Sequence, residues 1–129
     1  MKRFLSFFLL ISSFNLISHE FNPAHLIIDQ SDDFQNTYDA TWMYPVKNIG
    51  KRADVIFPDM CNSKGSDPFV QGKYIIEKIT LECNETIKGK FIEIINLSVL
   101  TDALVTINFK EDTFEGLINV QRNKIEIPL

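Results

Sequence analysis

From residue 26 onward apolar side chains return at almost every second position, and this period of two predicts strands rather than helices. The clearest stretch is residues 38–44, where Tyr38, Ala40, Trp42 and Tyr44 alternate with Asp39, Thr41 and Met43. Side chains of a strand point to opposite faces in turn, so the first four should line one buried face and carry Trp42 to the centre of the core. Residues 26–29 read as a short strand before it, with the Asp-rich stretch 30–35 as the turn between them. Further strands are expected at 55–57, 73–83, 91–97, 103–109, 114–120 and 125–127, separated by polar turns. Within 73–83, Ile79, Leu81 and Cys83 share one face, which turns the cysteine inward. The polar, glycine-containing segment 47–52 reads as an exposed loop, as does 61–68, which carries Asn, Ser, Gly, Asp and Pro. About eight short, evenly spaced strands without a convincing amphipathic helix predict an all-β fold, an immunoglobulin-like antiparallel β-sandwich. A closed barrel is the alternative.

The first residues follow another pattern. Lys2 and Arg3 precede an apolar run over 4–17, interrupted by Ser6, Ser12, Ser13 and Asn15, and Ser18 supplies a small residue before His19. Basic, apolar and small, in that order, is the pattern of an export signal. A run of about 14 residues rises roughly 21 Å as a helix, short of the ~30 Å hydrocarbon core, which favours a cleaved signal over an uncleaved anchor. The expected division is a signal peptide at 1–18 and one extracytoplasmic domain at 19–129, secreted to the bacterial periplasm. There is no lipobox cysteine. The greasiest later stretch, 91–109, is broken by Glu93, Asn96, Asp102 and Asn108, so the mature domain is expected to be soluble, with no direct membrane insertion after cleavage.

Loss of Lys2 and Arg3 leaves 11 basic against 17 acidic residues, a formal charge of −6 for the mature part. Such a net charge gives no electrostatic reason to seek nucleic acid or an anionic membrane surface. Cys61 and Cys83 are the two cysteines, and an even count in an exported chain favours a disulfide. It would close a loop of about 22 residues, worth on the order of 3 kcal/mol. A metal or redox role for these thiols lacks both a Cys-x-x-Cys motif and a histidine nearby in sequence.

Catalytic groups are scarce. The histidines, His19 and His25, both sit at the mature N-terminus, so a Ser-His-Asp or Cys-His site would have to be built from that end. The adjacent acids Asp32 and Asp33, and Glu111 and Asp112, fall in turns and point apart, as solvated charges do. Asp29, Asp32 and Asp33 supply oxygens for calcium, but the glycine and bidentate glutamate of a calcium loop are missing. Asn84-Glu85-Thr86 and Asn96-Leu97-Ser98 match the glycosylation acceptor pattern, incidental in a bacterial setting. The one metal reading follows from export: a free amine and imidazole at His19, completed by Glu20 or His25, would form a nitrogen and oxygen site suited to copper or nickel. Otherwise no cofactor is expected.

Several segments, taken in order, resemble the exported N-terminal domain that precedes the membrane part of HupE/UreJ-type proteins. They are His19-Glu20-Phe21-Asn22-Pro23-Ala24, Trp42-Met43-Tyr44-Pro45, Phe57-Pro58-Asp59-Met60-Cys61 with the paired Cys83, Ile95-Asn96-Leu97, and Leu100-Thr101-Asp102-Ala103-Leu104-Val105. They span 19–128, and His25 stands where the family pattern tends to have tyrosine. The resemblance implies a β-rich extracytoplasmic module whose membrane helices are associated with nickel uptake or related transport. Those helices would follow where this sequence ends, so transport itself is not carried over. The expected function is a non-enzymatic accessory or binding module, acting through an integral membrane transport protein. A small exported copper- or nickel-binding protein is the second reading, and a hydrolase with an unrecognised site the third.

Overall fold

The structure is a computed structural model that describes residues 22–47 and 52–129. The expected signal segment and the mature terminus at His19 lie outside the described residues. The described chain runs β1 (Ala24–Gln30), β2 (Thr37–Pro45), β3 (Asp54–Ile56), β4 (Cys61–Gly65), β5 (Phe69–Gln71), β6 (Tyr74–Cys83), β7 (Phe91–Ile95), β8 (Ala103–Asn108), β9 (Thr113–Ile118) and β10 (Lys124–Glu126).

Seven of these strands form one sheet in the order β4-β6-β2-β1-β8-β9, with β5 pairing β6 beyond β4 on the same edge. A three-stranded sheet, β10-β7-β3, contributes to the same core. The period of two explains why. On β2 Tyr38, Ala40, Trp42 and Tyr44 are buried, as their alternation predicts, and so is the terminal Pro45. Leu26 and Ile28 of β1 and Val105 and Ile107 of β8 join them, facing Ile92 and Ile94 of the smaller sheet. Trp42 is 1% exposed, and its indole Nε1 donates to the Ala53 carbonyl at 3.1 Å, just ahead of β3. A side chain of the large sheet thereby satisfies the backbone that leads into the small one. Arg52 does the same by charge, pairing with Glu77 of β6 and with Asp54 at 3.4 Å.

The turns follow local chemistry. Ser31 Oγ accepts from the backbone N–H groups of Asp33 (3.2 Å) and Phe34 (3.4 Å), and Asn36 takes a left-handed φ of 62° to re-enter β2. Gly72, with φ of 61°, lets the chain reverse between β5 and β6.

Two expectations need correction. The sheets are not wholly antiparallel: β1 and β8 run parallel, from Ala24 opposite Ala103 to Asp29 opposite Asn108. Alternation assigns a strand's faces but carries nothing about its direction relative to a partner far away in sequence, and here β2 to β7 form the crossover that a parallel pair requires. There are ten strands among the described residues rather than about eight, because much of the expected loop at 61–68 is β4, and β5 follows it. Both lie along the ten-residue β6, whose edge offers backbone partners over its whole length. Their side chains are nearly all exposed, so no apolar period marks them.

The disulfide is present between Cys61 and Cys83, residues directly opposite one another on β4 and β6. Both cysteines pack against the core, as the inward phase of Cys83 requires.

Candidate functional site

The large sheet buries one face under the small sheet and leaves the other to solvent. On that outer face the strand registers bring one residue from each of six strands into line: Leu117, Leu104, His25, Met43, Ile76 and Phe69, in the order β9-β8-β1-β2-β6-β5. Directly opposed residues on neighbouring strands have Cβ atoms about 5 Å apart, so the six form a continuous row across the sheet. Leu117, Leu104 and Phe69 are exposed, and His25 and Met43 half-buried. Ile76 is buried, at 6% exposure, and none of the six belongs to the core cluster between the sheets. The His25 ring meets Tyr74 edge-on with centroids 6.2 Å apart, and the Tyr74 hydroxyl donates to the Pro23 carbonyl at 3.0 Å, which pins this end of β1.

Four residues away along β9, β8, β1, β2 and β6, with β4 in place of β5 at the edge, the same face is polar. Thr113, Asn108, Asp29, Asp39, Thr80 and Lys64 stand in a second row set by the same registers. Asn108 Nδ2 donates to Asp29 Oδ1 at 2.7 Å, and Thr113 Oγ1 donates to Asn108 Oδ1 at 3.2 Å. Between the rows, Lys78 Nζ donates to Thr41 Oγ1 at 3.3 Å. The face therefore has an apolar band at one end and an internally bonded polar band at the other.

A surface depression of about 690 Å³ lies elsewhere, against the small sheet and the loop carrying Asp59 and Met60. Most of its charged groups are engaged: Lys90 pairs with Glu85 at 2.8 Å, Glu93 accepts from Asn123 Nδ2 at 3.4 Å, and the Lys124 ammonium sits 5.2 Å above the Phe91 ring. Groups already matched in this way offer a ligand less than the uncovered apolar row does.

Of the residues expected to hold a metal, His19 and Glu20 lie outside the described residues, and His25 is the member that is placed. It stands within the apolar row, between Leu104 and Met43. Among the described residues no group of three or more His, Cys, Asp and Glu side chains is arranged to hold a metal ion. Asn84 and Asn96 are both exposed; Asn96 lies just beyond β7 with φ of 61°, and its side-chain amide donates to the Arg52 carbonyl at 3.3 Å.

The row residues other than His25 carried no role in the sequence reading, yet three of them left a signal. Met43 and Leu104 are apolar residues on the phase of their strands that is otherwise polar, and Leu117 adjoins the inward Ile118. No protein-family model and no curated protein matches the chain.

Proposed function

We propose that the chain is an extracytoplasmic accessory or binding module that acts through an integral membrane partner, as the resemblance to the exported domain of HupE/UreJ-type proteins implies. The observation that carries this reading is the apolar row across the outer face of the large sheet. Monomeric surfaces scatter their exposed apolar residues, whereas contiguous bands bounded by polar side chains mark contact sites. A sheet face places such residues on a rigid backbone, so little ordering entropy opposes association. The bridge between Cys61 and Cys83 supports export of residues 19–129 behind a signal at 1–18, because such bonds persist in oxidising compartments such as the periplasm. Among the described residues no helix is long and apolar enough to cross a membrane. The two sheets around one core support an immunoglobulin-like sandwich, from which the parallel β1–β8 pair is a departure.

The test is affinity capture of the tagged chain from detergent-solubilised membranes, beside a Leu104→Ser/Leu117→Ser variant. Recovery of one integral membrane protein by the parent and its loss with the variant is the expected result. Captures that repeatedly return nothing, or that the variant leaves unchanged, defeat the proposal, as does turnover by the purified chain that a single acidic substitution abolishes.

A further inference from the structure

One end of the large sheet gathers exposed apolar side chains on its connections. There β2 ends and β6 begins side by side, with Val46 N–H donating to the Lys73 carbonyl at 2.9 Å. β1 begins beside the loop before β8, with Ala24 N–H donating to the Asp102 carbonyl at 2.8 Å, and Ala103 stands opposite Ile118 at the end of β9. The connections brought together in this way carry Val46, Val99, Leu100 and Val120, and the short edge strand β5 adds Val70, all exposed; Val99 and Leu100 reach 82% and 87%. On the β5–β6 side of this end a hollow of about 320 Å³ opens, its lining including Pro45, Val46, Lys47, Val70 and Lys73.

Charge is divided along the same axis. Lys47, Lys73 and Arg122 are exposed on this end, against the half-exposed Asp102; Arg52 is engaged with Asp54 and Glu77. The opposite end carries five acids, Asp32, Asp33, Glu85, Glu111 and Asp112, against three lysines, with Lys88 paired to Asp112, Lys90 to Glu85, and Lys110 Nζ donating to the Asp32 carbonyl. A formal charge of −4 for the whole sequence thus conceals an end where cations and aliphatic side chains alternate.

From this pairing we propose that this end of the domain is a contact surface for an anionic lipid bilayer, with Val46, Val70, Val99, Leu100 and Val120 entering the headgroup boundary while Lys47, Lys73 and Arg122 meet lipid phosphates. Aliphatic tips alone would suit any apolar partner. The flanking cations select an anionic one, and a bilayer presents both chemistries over an area that scattered loop tips can reach together. Net charge argues against such a surface, but the field at a surface is set by charges within a Debye length, about 8 Å at physiological salt. The contact is independent of the outer-face row and of any protein partner.

The experiment is co-sedimentation of the full exported chain with vesicles of phosphatidylcholine alone and with about one third phosphatidylglycerol. Binding is expected only to the anionic vesicles and should weaken as salt is raised. Each cation near an anionic surface contributes roughly fivefold, so Lys47→Gln/Lys73→Gln/Arg122→Gln should lower affinity on the order of 100-fold. Val99→Ser/Leu100→Ser should lower binding without altering its salt dependence, and denaturation midpoints check that both variants fold. Equal binding to both vesicle types, binding retained by both variants, or self-association in place of vesicle binding would each overturn the proposal.

Discussion

The two faces of the large sheet are made by the same strands with the same period of two, and they differ in what answers them. On the inner face Tyr38, Ala40, Trp42 and Tyr44 meet the small sheet, and Trp42 even finds a backbone acceptor there. On the outer face the apolar row, apart from the buried Ile76, ends in solvent, while the polar row four residues away closes on itself through Asp29, Asn108 and Thr113. An apolar side chain is thus no measure of its own contribution to folding. What counts is whether a second element of the chain removes it from water.

The sharpest way to break that comparison is Trp42→Ala. Truncating the largest buried side chain should cost about 3 to 5 kcal/mol in denaturant unfolding, a large part of the stability of a domain this size. A loss under about 1 kcal/mol would mean the inner face is not the folding face. Next comes the bridge on the inner edge: Cys61→Ala/Cys83→Ala should lower stability by about 2 to 4 kcal/mol, and free-thiol labelling of the native exported protein should fail. Labelling at both positions would remove the staple from the account.

A smaller effect is expected from Tyr44, where the inner face reaches the rim. Burial pushes its phenol above the usual 10, while the nearby Arg52 pulls the other way. The folded state then holds the proton more tightly than the unfolded one, so this contribution is complete below pH 10 and is lost as pH rises through the folded value. Unfolding midpoints followed above pH 10 should fall less in Tyr44→Phe than in the parent; parallel curves would reject the coupling. Smallest of all, Leu104→Ser/Leu117→Ser on the outer face should change stability by no more than about 0.5 kcal/mol per site. A loss comparable to that of Trp42→Ala would show that the row belongs to the fold and not to a contact.

Much of this was legible in the sequence. The strand at 38–44 with its inward tryptophan, the inward phase of Cys83, and seven further strands appear close to their expected bounds, because burial on one face writes itself into alternation. β4 and β5 were hidden because both lie on an edge, where hydrogen bonds to β6 define the strand and side chains are free to be Asn, Ser, Lys or Gln. The apolar row was hidden for a different reason. Its members lie on strands far apart in sequence, and only the order β9-β8-β1-β2-β6-β5 makes neighbours of them. Alternation sets faces; pairing sets rows.

The parallel pair of β1 and β8 also bears on when the protein becomes a protein. Its partners begin at Ala24 and Ala103, so the first described strand keeps one edge open until most of the chain is present. Long-range pairing of this kind pays its loop-closure entropy before any contact rewards it, which slows folding and prolongs the exposure of a bare edge. Until β8 at Ala103–Asn108 has been made, β1 has no partner on that edge, and the large sheet stays open between its two halves.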